Sequence, residues 1–342
     1  MEKKKFSLQQ VPHSIGIFRA LQLGDLLCSL PAIRAIRKTY PFSKITLIGL
    51  PWAKEFINRF PFYIDNFVEF PGFPGIPEKA FDKDGFHKFI QNTSFDLLIQ
   101  MHGNGRIINN VIKKIPAKYR LGFAEKQKET SNELYLKYPE HQHEILKWLK
   151  LIQAIKIVSR NVVINFPCTK QEEKESELIR EKFQLKNFII IHVGARDKKR
   201  RWKTEYFAMI ADLLGHLGYQ IVFTGTDSDA SLVKDVQKKM MTESLDITGY
   251  TSLGTVASLL TYSKLLITND TGISHIAAAV KAKSIVIFSE FSSLEQWAPL
   301  NTDLHIAIPY ENALPSMVYN IASLILGHRN KLAYIPQKEI LL

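Results

Sequence analysis

Short runs of apolar residues alternate along the chain with stretches in which apolar positions return every three or four residues. The first pattern suits strands buried on both faces, and the second suits helices with one buried stripe. Their alternation predicts parallel sheets joined by crossover helices. In the first half, strands are expected at 15–18, 45–48, 67–70 and 96–100. The first helix opens after Gly24-Asp25, carries Leu26, Leu27, Leu30, Ile33 and Ile36 at helical spacing, and stops before Pro41. A Pro- and Gly-rich loop follows at 70–84, and an amphipathic segment at 144–157.

The second half restarts the alternation. Strands are expected at 188–193, 220–224, 265–268 and 284–288, with helices at 204–217, 229–241, 253–263 and 272–279. Residues 159–186, with Pro167 and a Glu- and Lys-rich helix at 171–183, read as the connection between two domains. A chain of 342 residues exceeds one ordinary core, so length also favours two domains. The expected division is 1–165, 166–315 and a C-terminal helix and tail at 316–342 that leans back on the first domain. The fold class is α/β, with two doubly wound, Rossmann-like domains facing each other across a cleft at the carboxyl ends of their sheets.

Composition narrows the function. Hydrophobic residues make up 46% and charged residues 23%, which excludes a disordered or fibrous chain. No apolar run is long enough to span a bilayer, and the basic start Met1-Glu2-Lys3-Lys4-Lys5 lacks the apolar stretch of a signal peptide. The expected location is the cytoplasm. Cys28 and Cys168 form neither a CxxC nor a zinc spacing. The net charge of +12 calls for an anionic partner. Cations concentrate in Arg196-Asp197-Lys198-Lys199-Arg200-Arg201-Trp202-Lys203, with a looser set at Lys113, Lys114, Lys118, Arg120, Lys126 and Lys128.

Three segments lie where a strand hands over to a helix. The first is Arg19 to Leu27, in which Gly24 permits close backbone approach and Asp25 falls at a helix start. A carboxylate there is also a favoured N-cap. The second runs from His192-Val193-Gly194-Ala195-Arg196 into the basic cluster, and cations in that position neutralise a diphosphate. The third is Thr268-Asn269-Asp270-Thr271-Gly272-Ile273-Ser274-His275, leading into an alanine-rich helix. Unpaired N–H groups at such a helix N-terminus form an anion site. There is no P-loop, no GxGxxG, no HExxH, no GxSxG and no DxD pair for a divalent metal.

Taken in order, these segments resemble glycosyltransferase family 9, the lipopolysaccharide heptosyltransferases and their relatives. The resemblance is carried by Gly24-Asp25-Leu26-Leu27 through Pro31-Ala32 to Tyr40-Pro41, by Arg200-Arg201-Trp202-Lys203, and by Asn269-Asp270-Thr271-Gly272 through His275 to Ala279. Gly249-Tyr250-Thr251-Ser252-Leu253 and Trp297-Ala298-Pro299 add to it, so that the matches cover nearly the whole chain. It implies a GT-B architecture and an inverting transfer that uses no metal and no cofactor beyond the nucleotide-sugar substrate, by family default ADP-heptose. Asp25 is then the general base. Arg196, Lys199, Arg200, Thr224, Gly225, Asp229, Asp270, Thr271, Gly272 and His275 bind the donor. Gly24, Arg19 and His102 fall on the acceptor side.

Two departures stand out. Arg200 occupies the place of a family lysine, so Lys199 shares that role. Phe288-Ser289-Glu290 replaces a usual Phe-Gly and short loop. The implied acceptor is an acidic glycolipid of the cell envelope. A peripheral contact with the cytoplasmic leaflet of the inner membrane falls to the N-domain lysines and Phe60-Pro61-Phe62-Tyr63. A monomer that binds no nucleic acid is expected. Two readings compete: another GT-B nucleotide-sugar enzyme, such as an epimerase, and a non-enzymatic basic binding protein.

Overall fold

The computed structural model describes residues 5–328. The chain forms two compact units that divide between Ile164 and Asn165. In the first, strands are β1 (Ser14–Phe18), β2 (Lys44–Gly49), β3 (Asn66–Glu69), β4 (Phe95–Gln100), β5 (Ala117–Ala124), β6 (Lys128–Glu129) and β7 (Glu133–Lys137). Its helices are α1 (Leu23–Thr39), α2 (Ala53–Ile57), α3 (Lys83–Asn92), α4 (Ile108–Ile112) and α5 (Glu144–Gln153). In the second, strands are β8 (Phe188–His192), β9 (Gln220–Phe223), β10 (Ser244–Asp246), β11 (Leu265–Asn269), β12 (Ser284–Phe288) and β13 (His305–Pro309). Its helices are α6 (Lys170–Lys182), α7 (Thr204–His216), α8 (Ala230–Gln237), α9 (Leu253–Tyr262), α10 (Gly272–Val280), α11 (Leu294–Trp297) and α12 (Pro315–Ile325).

Both sheets share one logic. The first has the order β3-β2-β1-β4-β5-β7-β6, parallel except where β6 meets β7, and the second has the order β10-β9-β8-β11-β12-β13, all parallel. In each, the order reverses between the first and the fourth strand in sequence, β1 and β4 in one and β8 and β11 in the other. Loops that leave a parallel sheet at such a reversal diverge to opposite faces and open a crevice for ligand. The apolar runs explain the strands: β8, β11 and β12 bury nearly every residue because helices cover both faces.

Several elements differ from the sequence expectation. Helix α1 starts at Leu23, so Gly24 lies inside its first turn and not in a loop, and Gln22 is the N-cap. Pro31 lies within α1 and withdraws one N–H, yet the helix continues to Thr39 because its buried face, from Leu26 to Ile36, packs against α5. Helix α3 and strands β3 to β7 surround a stretch that periodicity resolved only in part. In β5 and β7 charged residues interrupt the apolar run, and burial comes from sheet pairing.

The looser basic set is also partly internal. Arg120 donates to the carbonyls of Ile112, Ala117 and Ile115 at 3.2, 3.2 and 2.8 Å, and Lys128 pairs with Glu133 at 2.5 Å. Helix α12 was expected to lean back on the first domain. It packs on α7, with Val318 and Ala322 in the core of the second unit, beside Phe207, Ile210 and Leu214. The rest of that expected tail, 329–342, lies outside the described residues. Among the described residues, no helix is long and apolar enough to cross a membrane.

Candidate functional site

In the first unit the chain leaves β1 at Arg19 and β4 at Met101, at the strand-order reversal. Arg19, expected to meet the acceptor, is instead enclosed, its side chain 0% exposed. Its Nη1 donates to Met101 O at 2.5 Å, while Nε and Nη2 donate to Asp25 O at 3.0 and 2.7 Å. The guanidinium thus stitches the two loops together from a fully enclosed position. Asp25 is the third residue of α1. Its Oδ2 accepts the Gln22 N–H at 3.3 Å, and its Oδ1 lies 3.4 Å from Arg19 Nη2. With 22% of its side chain exposed, Asp25 keeps a route to solvent that Arg19 lacks.

The Arg19 guanidinium and the positive end of the helix thus both lie beside this carboxylate. His102 follows β4 and packs its ring 5.6 Å from Phe18. Burial, aided by the Arg19 charge, pushes its pKa down to about 3, so the imidazole is neutral at physiological pH. Its Nδ1 has no partner.

In the second unit, the loop after β8 carries the basic cluster. Asp197, its one acid, accepts the Lys199 N–H at 3.0 Å and so caps a short 3-10 turn, Lys198–Arg200. Arg201 turns inward, its Nε donating to Ala195 O at 2.9 Å. Trp202 is buried, and its indole N–H donates to Ala313 O at 2.9 Å. These internal bonds leave Arg196, Lys198 and Lys199 exposed along the loop. Lys199 rests its Nζ 5.1 Å from the Phe291 ring centroid.

The loop after β11 meets this one. Asn269 bridges the two strands' ends, accepting from Trp202 N at 2.8 Å and donating to Val193 O at 2.9 Å. Beyond it, Arg200 Nη1 lies 3.4 Å from Asp270 Oδ2. Burial raises the Asp270 pKa, against the opposing effects of Arg200 and a Ser292 hydrogen bond. Ser292 arrives through the departure from the family pattern: Ser292 N donates to Ser289 O at 3.0 Å, closing a turn after β12. Helix α10 then starts at Gly272 with Thr271 as N-cap, and no side chain caps it. His275 is buried one turn in, its ring 5.9 Å from Trp297.

Thr224, Gly225 and Asp229 follow β9. Thr224 is buried, and Asp229 Oδ2 accepts from Thr226 N at 2.9 Å and Thr226 Oγ1 at 2.8 Å. The other oxygen abuts Gly194, where an added Cβ would lie 2.4 Å from Asp229 Oδ1. Asp229 also faces His192, whose pKa burial lowers while the carboxylate opposes that shift. Thus the structure groups Arg196, Lys199, Arg200, Asp270, Thr271, Gly272 and His275 on the loops after β8 and β11 and the helix that follows, with Asp229 locked to the neighbouring loop. Sequence reading missed Gly194 and the tying role of Asn269, although both stand inside the motifs. It also missed Ser292, for which no spacing rule gives a signal. Among the described residues no three His, Cys, Asp or Glu side chains gather to hold a metal.

Two parallel α/β units, each with polar and charged loops at its strand-order reversal, follow the plan of the GT-B glycosyltransferases. Comparisons make the class more specific. The model of glycosyltransferase family 9 (heptosyltransferase) matches residues 85–322, and the chain belongs to that family and is a glycosyltransferase. Lipopolysaccharide heptosyltransferase 3 of Escherichia coli (strain K12) is 24% identical over 296 residues, covering 78% of this chain and 79% of that protein. Among solved structures, a family 9 glycosyl transferase from Veillonella parvula DSM 2008 aligns with a TM-score of 0.73 and 20% identity, covering 97% of this chain and 93% of that one. E. coli ADP-heptose lps heptosyltransferase II aligns with a TM-score of 0.68 and 17% identity, covering 92% and 98%.

Proposed function

We propose that the protein transfers heptose from ADP-heptose to an acidic core glycolipid of lipopolysaccharide, with inversion at the anomeric carbon and no metal. The observation that carries this reading is the Asn269 bridge, which holds the cation-bearing turn at Lys198–Arg200 against the uncapped N-terminus of α10. Cations and unpaired N–H groups assembled in this way suit a diphosphate. They stabilise the charge that develops as the bond between anomeric carbon and phosphate oxygen breaks. Lys199, Arg200 and Arg196 supply cations for the leaving diphosphate, and Asp229 serves the nucleoside. Asp25 accepts the proton of the acceptor hydroxyl as its oxygen bonds to the anomeric carbon.

The donor and acceptor classes come from the family, and the similarity to the E. coli ADP-heptose lps heptosyltransferase II supports the choice of donor. A cytoplasmic location with peripheral attachment to the inner leaflet agrees with the net charge of +12 and with the exposed Phe62. The test is a transfer assay with ADP-heptose, competing nucleotide sugars and heptose-deficient core glycolipid, with and without EDTA. Transfer from ADP-heptose that survives chelation and yields the inverted anomer is expected. Turnover with another nucleotide sugar alone would overturn the donor assignment. Loss with EDTA and recovery with magnesium or manganese would overturn metal independence.

A further inference from the structure

Behind Asp25 lies a chain of buried charges that the transfer chemistry does not itself use. Arg19 Nη2, besides facing Asp25, donates to Glu144 Oε1 at 3.0 Å. The other carboxylate oxygen, Glu144 Oε2, accepts from Lys147 Nζ at 3.1 Å, and that ammonium also donates to Tyr138 OH at 2.8 Å. Trp148 covers the Arg19 guanidinium at 4.6 Å, and the Tyr138 ring covers Lys147 at 4.6 Å. Side-chain exposure is 0% for Arg19, 4% for Glu144 and 0% for Lys147, against 22% for Asp25.

The four charges alternate in sign, minus, plus, minus, plus, and cancel as a set. Their order in space differs from their order in sequence: Asp25 opens α1, while Glu144 and Lys147 stand one turn apart at the start of α5. Isolated buried ions are costly, so each member of such a chain holds its neighbour in place. Removing the Glu144 charge leaves two enclosed cations, of which only Arg19 still faces a carboxylate, that of Asp25. Arg19 then loses the carboxylate that holds Nη2 on the side away from Asp25, and only the carbonyls of Met101 and Asp25 and the Trp148 ring still fix the guanidinium that faces the Asp25 carboxylate. A carboxylate that must receive a proton from one particular hydroxyl tolerates little misplacement, and an error of about 1 Å costs on the order of 10²-fold in rate.

Resting on the reading of Asp25 as the general base, we propose that Glu144 and Lys147 are positioning residues of the transfer reaction. Acting through Arg19, they orient the Asp25 carboxylate. They touch neither substrate. The donor contacts proposed above are all assigned to residues of the second unit.

Three variants test this: Glu144→Gln, Lys147→Met and the pair combined, with Asp25→Asn as control. Each is measured for transfer kcat, for donor KM and for thermal stabilisation by ADP. The combined variant removes one buried anion and one buried cation together, so it remains foldable if either single change is not. Folded Glu144→Gln and the folded double variant are expected to lose about 10- to 100-fold in kcat, with donor KM and the ADP-induced shift unchanged. Adding Glu144→Gln to Asp25→Asn is expected to cost nothing further, because both act on one step. A purely structural role predicts instead that the double variant regains rate as it regains melting temperature, and that result would overturn the proposal. So would full kcat in folded Glu144→Gln while Asp25→Asn is inactive. Near-normal transfer by Asp25→Asn would remove the base assignment itself, a different failure.

Discussion

Asn269 holds Trp202 in place, accepting its backbone N–H at 2.8 Å while donating to Val193 O at 2.9 Å. One fully buried amide thus joins the loop after β8 to the end of β11 and sets the stance of Arg200, two residues before Trp202. Asn269→Ala strands a buried N–H and a buried carbonyl, at a cost of about 1–3 kcal/mol. Denaturant unfolding is expected to show that loss. ADP affinity is expected to fall about tenfold or more as the cationic turn loosens, about 1.4 kcal/mol. Unchanged affinity in a folded variant would separate the Asn269 bridge from donor binding.

Asp25→Asn keeps the size of the side chain and an oxygen for the Gln22 N–H, so α1 retains its start. Turnover is expected to drop by about 10²–10⁴-fold, the usual worth of a positioned base, with ADP-induced stabilisation intact. A collapsed melting temperature would show that Asp25 acts mainly as part of the helix cap. Near-normal transfer would place the base elsewhere.

Arg200→Ala removes the cation that opposes the upward shift of Asp270. A carboxyl that titrates above its unfolded value favours the folded state at pH below that unfolded value. It loses this contribution as pH rises through the folded value. Without Arg200 the folded value climbs further, so the stability deficit of the variant grows from the carboxylate range toward neutrality. Melting curves from pH 4.5 to 8 are expected to converge with wild type at the acid end and to separate at the neutral end. A constant gap would mean that Arg200 does not bear on Asp270. Donor affinity is expected to weaken by about 1.5–3 kcal/mol, read from ADP titration.

Gly194→Ala places a Cβ 2.4 Å from Asp229 Oδ1. Overpacking of this kind typically costs about 1–3 kcal/mol, and here it also moves the carboxylate assigned to the nucleoside. Both melting temperature and ADP affinity are expected to fall. In an Asp229→Ala background the clash has no partner, so the added cost of Gly194→Ala in stability is expected to vanish. Equal costs in the two backgrounds would show that some other contact sets the need for glycine.

Much of this was legible along the chain. The apolar runs of β8, β11 and β12 and the helical spacing of α1 and α7 depend on residue type and interval alone. Hydrophobic burial is local in its demand, so two parallel α/β sheets and their polar handover segments could be read without coordinates. The same holds for the succession from Gly24-Asp25 through the basic cluster to Asn269-Asp270-Thr271-Gly272, which carries the family.

Tertiary structure decided which of those side chains are spent internally. Arg19, Arg120 and Arg201 look alike in sequence to Arg196 and Arg200, yet the first three are occupied by carbonyls. Helix α12 carries an apolar stripe that names no partner, and only packing assigned it to α7. Glu144 and Lys147 read as the polar edge of an amphipathic helix until folding brought Arg19 across more than a hundred residues to meet them. A buried charge is tolerated only beside its counterpart, and which counterpart arrives is a property of the folded chain and not of any local interval.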